Sequence, residues 1–306
     1  MISKSEELPT KFEGKINVPY AIETPLSGVE KELNSDEYLY YRLNVKLEKE
    51  FIKDKLILHF GAVDQIADVY IDKQFVIHHI GGFLPFEIDI KPFISSNEFE
   101  IIVRVKDVSD DSYYSIGKQR KKRGGIWYSC HSGIYMPVWL ESVSFDYIKS
   151  IKLTPDIDNK ILKIIPYGDF DKCKFIMGDN VIELDSNIEN IIEIKDMNLW
   201  SPENPYLYHF KLKTQNDEIS SYFAMRKFST ILDDKGHRRL ALNNKIYFMK
   251  GVLDQGYYSD GIYLPASPKG YEFDILEMLE ANTVKFEEIY KSKTDVKGTL
   301  NVESYE

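Results

Sequence analysis

Phe86-Glu87-Ile88-Asp89-Ile90, Ser95-Ser96-Asn97 and Phe99-Glu100-Ile101-Ile102-Val103-Arg104-Val105 form the stretch on which the fold turns. Successive side chains of an extended chain point to opposite faces. Phe86, Ile88 and Ile90 therefore share one face, and Phe99, Ile101, Val103 and Val105 repeat the same period. The polar residues between the two runs are turn formers. The pattern of short half-buried strands recurs outward at residues 56–60, 68–72, 138–143, 161–165, 191–194 and 207–213. The 21 Tyr and 17 Phe suit such pleated surfaces. Many short strands at this spacing predict sandwiches, not a parallel sheet.

A helical period stands out only late in the chain. Tyr271, Ile275, Met278 and Leu279 fall on one face behind Ser267-Pro268, a cap and a first-turn proline. Residues 246–252 before it read as a strand, and residues 290–306 after it show no period. The β body divides near residue 147, between a strand through Trp139 and a fresh run that opens at Ile151. No internal repeat or low-complexity linker separates the parts.

Composition excludes several classes of function. The formal net charge of −10 has the wrong sign for gripping a phosphate backbone, so no nucleic acid partner is expected. Hydrophobic residues at 43% and charged residues at 29% are globular proportions, and no run of about 18 apolar residues predicts a membrane span. The polar, acidic start Met1-Ile2-Ser3-Lys4-Ser5-Glu6-Glu7 lacks the pattern of a secretory signal and predicts a cytoplasmic protein. Cys130 and Cys173 lack metal-ligand spacing and are expected to be reduced and structural. His59, His78, His79, His131, His209 and His237 form no HxH or HExxH, so no metal is predicted. No phosphate-cradling glycine loop or nucleophile elbow occurs, and no cofactor is predicted. Lys118-Gln119-Arg120-Lys121-Lys122-Arg123 can pair with phosphates or acidic sugars, although its plainest reading is a solvated loop.

Several stretches are more specific. The segment from Gly124 to Glu141, with Ser132-Gly133-Ile134 and Val138-Trp139-Leu140-Glu141, resembles the signature that closes the sugar-binding jelly roll of glycoside hydrolase family 2. Val18-Pro19-Tyr20, Leu26-Ser27-Gly28, Gly61-Ala62-Val63-Asp64 and Gly81-Gly82-Phe83-Leu84-Pro85-Phe86 resemble its earlier markers. Trp200-Ser201-Pro202-Glu203-Asn204-Pro205-Tyr206-Leu207-Tyr208 is similar to a stretch of the family's immunoglobulin-like second domain. Leu242-Asn243-Asn244-Lys245-Ile246-Tyr247 through Val252 resembles the lead-in to its catalytic barrel, with Asn243-Asn244 suited to the positive φ of a tight hairpin. The resemblance thus implies a mainly β chain: a jelly-roll sandwich over 1–147 without its first strand, an immunoglobulin-like sandwich over 148–232, and an incomplete βα stub of a TIM barrel over 233–306.

The family resemblance implies a retaining β-glycosidase, which needs two carboxyl groups about 5 Å apart across the scissile bond. Both belong at the carboxyl ends of later barrel strands, whereas 233–306 is a fraction of the roughly 250 residues of an eightfold barrel. No catalytic residue is therefore assigned. Ala281-Asn282-Thr283-Val284-Lys285 is similar to a second barrel strand, but Phe286-Glu287-Glu288-Ile289 leaves the pattern. The segment before Val18 is also short for the family. Asp254, Gln255, Tyr257 and Tyr258 follow the first barrel strand and are the candidate sugar contacts; the competing role is loop closure onto the jelly roll. Glu203, Asp68 and Asp72 are expected in turns or in solvent. The expectation is a truncated family 2 glycoside hydrolase that binds β-glycosides but does not hydrolyse them alone. The alternative is a non-catalytic carbohydrate-binding or complementation module, a homo-oligomer or the partner of a separate barrel fragment.

Overall fold

The computed structural model describes residues 1–283 and divides into two compact units, Met1–Ser142 with the described residues from Gly251, and Val143–Lys250. In the first unit the strands are β1 (Ile2–Ser3), β2 (Tyr38–Lys46), β3 (Lys55–Phe60), β4 (Val63–Asp64), β5 (Ile66–Ile71), β6 (Gln74–Ile80), β7 (Phe86–Asp89), β8 (Glu98–Lys106), β9 (Gly133–Ile134) and β10 (Val138–Val143). They form a five-stranded sheet in the order β1-β2-β8-β5-β6, a three-stranded sheet β10-β3-β7 and a short β4-β9 pair. Pairing is antiparallel, with Tyr41 opposite Val103 and Val69 opposite Val103 on its other side. The two larger sheets close on one core. Leu39, Val69, Ile71, Phe99, Ile101, Val103 and Val105 meet Leu56, Leu58 and Phe60, with Phe86, Ile88 and Ile90 at the same face. Each fully buried aliphatic side chain contributes about 1.5–3 kcal/mol. The decisive stretch is thus strand-turn-strand in one sandwich core, as its period requires. Ile102 faces the other way and is covered, with Tyr38 and Tyr40, by Leu8 and Phe12 of the amino-terminal segment.

The second unit contains β11 (Ile148–Asp156), β12 (Ile161–Gly168), β13 (Lys172–Met177), β14 (Asn180–Asp185), β15 (Asn190–Glu193), β16 (Tyr208–Lys213), β17 (Glu218–Phe223), β18 (Phe228–Leu232), β19 (Arg238–Leu242) and β20 (Lys245–Ile246). A three-stranded sheet β11-β12-β15 and a four-stranded sheet β14-β13-β16-β17 enclose Leu162, Ile164, Phe175, Leu184, Phe210, Leu212 and Met225. Cys173 is buried in that core and Cys130 is half-buried; both are free thiols. Burial pushes Cys130 up to about 12 and Cys173 up to about 11. The β18-β19-β20 sheet follows, with Asn243 and Asn244 at φ 52° and 64° in its tight turn.

The chain passes from the first unit to the second at Ser142/Val143; residues 233–250 go with the second unit and the described residues from Gly251 with the first. The strand expected over 246–252 is formed only at Lys245–Ile246, extended by one bond from Tyr247 N to Leu240 O. A buried parallel strand needs neighbours on both edges, and among the described residues β20 pairs with β19 alone. The helix α1 (Pro268–Thr283) begins at the expected proline. It also takes in Ala281, Asn282 and Thr283, which the resemblance placed in a strand; residues 284–306, with the expected aperiodic tail, lie outside the described residues. No helix among the described residues is long and apolar enough to cross a membrane.

Candidate functional site

In the first unit, a turn at residues 18–28 organises the neighbourhood of residues 254–265. Thr24 accepts from Ser27 N, Ser27 Oγ donates to Thr24 O and Ile22 O, and Gly28 ends the turn at φ 76°. Leu26 N donates to Asp260 O, and the Tyr20 hydroxyl to Pro265 O. The markers around Val18 and Leu26 thereby fix the loop that carries the predicted sugar contacts.

Two of the four predicted residues meet on Tyr128. The Tyr128 hydroxyl donates to Gln255 Oε1 at 2.5 Å, and the Tyr257 ring stacks on Tyr128 at 4.5 Å and 23°. Tyr128 is held in turn by its backbone, Tyr128 N to Lys118 O and Arg120 N to Tyr128 O. The other two face elsewhere. Asp254 Oδ1 accepts from Gly256 N at 2.8 Å, and the Tyr258 hydroxyl donates to Asp274 Oδ2 on α1 at 2.6 Å. Burial, followed by the Asp274 carboxylate, raises the Tyr258 phenol. Glu203 accepts from the Tyr247 hydroxyl and Asp72 from Glu100 N, whereas Asp68, expected in a turn or in solvent, is buried within β5 and binds Arg104 and His78, which offset the cost of burying its charge.

Beneath this surface lies a buried polar cluster that no single stretch of sequence announces. Ser132 joins two carboxylates: its N–H donates to Glu23 Oε2 at 2.9 Å and its hydroxyl to Asp107 Oδ2 at 2.7 Å. Gln119 joins two more groups, donating from Nε2 to Asp64 Oδ2 at 2.7 Å and accepting from His131 N at 2.9 Å. Burial, with the neighbouring acids adding to it, pushes Glu23 up to about 7 and raises Asp64 well above the usual carboxylate range. Asp107 is likewise raised by burial against the pull of Ser132 and Ser109, while burial lowers His131 to about 3. His131 is therefore a neutral imidazole wedged between the rings of Tyr135 and Tyr263. One signal for this cluster is Gly82, where a Cβ would stand 2.3 Å from Asp64 Oδ1.

Beside the cluster opens a cavity of about 480 Å³ walled by Phe83, Tyr135, Met136, Pro137, Trp139 and Tyr263. Tyr263 also touches Tyr257 edge-on at 6.3 Å, one ring away from the Tyr128 group. Among the described residues no group of three His, Cys, Asp or Glu side chains is placed to hold a metal ion.

Comparison with known proteins bears on this arrangement. Residues 7–142 match the family model "Glycosyl hydrolases family 2, sugar binding domain", and residues 164–226 match "Glycosyl hydrolases family 2". The β-galactosidase of Thermoanaerobacter pseudethanolicus is 26% identical over 229 residues, 68% of this chain and 30% of that protein. That of Thermoanaerobacterium thermosulfurigenes is 26% identical over 313 positions, 91% of this chain and 42% of its own length. The chain thus spans less than half of these relatives. The Ruminococcus gnavus β-glucuronidase structure superposes with a TM-score of 0.69 at 17% identity, covering 92% of this chain and 52% of that one. The Faecalibacterium prausnitzii β-glucuronidase gives 0.68 at 19%, covering 91% and 51%. Two matched domains in the order the sequence motifs require, on a mainly β fold shared with these structures, make this chain a member of glycoside hydrolase family 2.

Proposed function

We propose that this chain recognises a β-glycoside through Tyr128, Gln255 and Tyr257 and does not by itself hydrolyse it. The observation that carries the reading is the stacked Tyr128–Tyr257 pair with the exposed Gln255 amide at its edge, a platform with a polar rim of the kind sugar rings meet. Retaining hydrolysis requires two free carboxyl groups about 5 Å apart across the bond. Asp254, beside this platform, and Asp274, on α1, already accept hydrogen bonds from Gly256 N and the Tyr258 hydroxyl. The galactosidase and glucuronidase names of the relatives support β-glycosides as the ligand class and a retaining β-glycosidase as the parent, with 233–306 corresponding to the start of its barrel. The two free cysteines support a cytoplasmic setting. The test incubates the purified 306-residue chain with aryl β-D-galactoside and aryl β-D-glucuronide and titrates it calorimetrically with the methyl glycosides. Heat without turnover is expected; turnover overturns the non-hydrolysing reading, and absence of both heat and turnover overturns sugar recognition.

A second reading, a module that docks onto a separate barrel fragment, is favoured by α1. Ile275, Leu276 and Leu279 are 55%, 56% and 57% exposed, so this helix presents large apolar side chains to solvent. Sedimentation that shows a single monomer across concentrations, with no complex on adding a family 2 barrel fragment, removes this reading.

A further inference from the structure

Three buried carboxyl groups lie close together in the first unit without a cation to balance them. Asp64 and Asp107 are each 1% exposed, and Ser132 ties Asp107 to Glu23. Among the described residues none of the three has a Lys or Arg at ion-pair distance, and His131, whose Nε2 lies 3.3 Å from Asp64 Oδ2, is held neutral by burial. A charge out of water without such a partner is costly, so an acid here holds its proton. The titratable groups that face Glu23 from neighbouring elements are Asp107 behind β8, Asp64 in β4, Tyr41 in β2 and Cys130 before β9, and all of them are acids. Each of these, when ionised, opposes a charge on Glu23. Lys121, of the opposite sign, acts on Asp107.

Glu23 also stands in the middle of the turn that carries the 257–265 loop. On either side of it the Tyr20 hydroxyl donates to Pro265 O and Leu26 N to Asp260 O, and Ala21 packs with Ile262. Ile262 is a β-branched residue at φ 61°, and the backbones of Tyr258 and Ile262 bond each other in both directions. A conformation this unfavourable persists only where its surroundings enforce it. The turn supplies that enforcement, and the 2.9 Å bond from Ser132 N to Glu23 Oε2 ties the turn to the residue before β9.

We propose that the Glu23 carboxyl is a proton-operated latch: while it keeps its proton the 18–28 turn stays on Ser132 and holds the 257–265 loop in its strained form, and when it ionises the turn lifts and the loop is released. An acid that binds its proton more tightly in the closed form than in the open one favours closure at low pH. Burial raises Glu23 from 4.5 to about 7, so opening grows as pH rises from 4.5 and levels off above 7. On the reading of Tyr257 as a sugar contact the latch also sets how much of the platform is assembled; the latch itself does not depend on that reading.

The test follows amide hydrogen exchange of the full chain between about pH 5 and 7.5, without sugar and corrected for the intrinsic effect of pH on exchange. Residues 18–28 and 257–265 are expected to lose protection by about tenfold or more, while β5 and β8 in the first unit and β12 and β16 in the second keep theirs. Glu23→Gln retains an acceptor for the Ser132 N–H and cannot ionise, so the same two segments should stay protected across the range; protection of β5 and β8 reports that the variant is folded. No loss in the wild type, a loss that spreads through β5 and β8, or the same loss in folded Glu23→Gln overturns the latch. The wild type alone separates a latch from general loosening of the unit, even if the variant does not fold. Because no sugar is present, failure of the latch leaves the platform reading in place, and an absence of sugar binding leaves the latch in place.

Discussion

Gly133 shows how little freedom a single position in the closing motif has. Its φ is +81°, and a Cβ there would stand 2.1 Å from the Tyr41 hydroxyl, which accepts the Ile134 N–H, and 2.8 Å from Leu39 Cδ2. Gly133→Ala should therefore combine backbone strain, overpacking and a lost hydrogen bond, destabilising the first unit by about 3 kcal/mol or more in urea denaturation. Glu23 makes a second prediction at this scale. Its carboxyl is raised by burial from 4.5 to about 7, so its contribution to stability is fully present below pH 4.5 and is lost as pH rises through 7. His131 acts in the opposite sense: its pKa falls from 6.5 to about 3, and its contribution is lost as pH drops from 6.5 towards 3. The wild type should lose stability between pH 6.5 and 8, and Glu23→Gln should flatten that slope; an unchanged slope in the variant would show that Glu23 does not hold its proton there. None of this was legible in the sequence. Ser132 binds Glu23 from 109 positions away and Gln119 binds Asp64 from 55, so no window of sequence displays the group.

At the scale of elements, periodicity was informative wherever a strand has one wet face or a core on each side. Residues 138–143 were read at the bounds β10 takes, and the Ile101-Ile102 doublet is explained by a core on each face of β8. Reading failed over most of 246–252, read as a strand from its pattern, and at 281–283, where the family resemblance implied one. A strand is a property of a pair, and the sequence of one member cannot supply the other. The helix α1 is tied to its unit by contacts that include the Tyr258–Asp274 hydrogen bond and the edge-on packing of Tyr271 against Tyr258 at 5.8 Å. Tyr258→Phe keeps the ring and removes the bond, and should cost about 1 kcal/mol, seen as faster amide exchange confined to α1. Leu276→Lys and Leu279→Lys, at exposed positions, should change stability by less than about 0.5 kcal/mol. If the docking reading holds, the same two substitutions should abolish association with a barrel fragment.

At the scale of the molecule, the order of motifs gave the two sandwiches because each motif marks a turn or strand end that its own domain requires. Gly61 is one such mark: a Cβ there would sit 2.9 Å from Met136 Cβ, so the segment beside β3 can lie against the loop before β10 only without a side chain. The return of the described residues from Gly251 to the first unit depends on tertiary bonds such as Leu26 N to Asp260 O, which no window of sequence displays. Two separate hydrophobic cores, one around Leu58 and one around Phe175, lead to a final expectation. Units with their own cores unfold as their own cooperative transitions. Leu58→Ala should cost about 2–5 kcal/mol and Phe175→Ala about 3–5, each lowering a different peak in scanning calorimetry. Raising the pH from 6.5 to 8 should lower the peak that Leu58→Ala moves and spare the one that Phe175→Ala moves, because Glu23 belongs to the first unit. A single peak shifted equally by both substitutions would mean that the two cores unfold together, and the assignment of the pH response to one unit would then be lost.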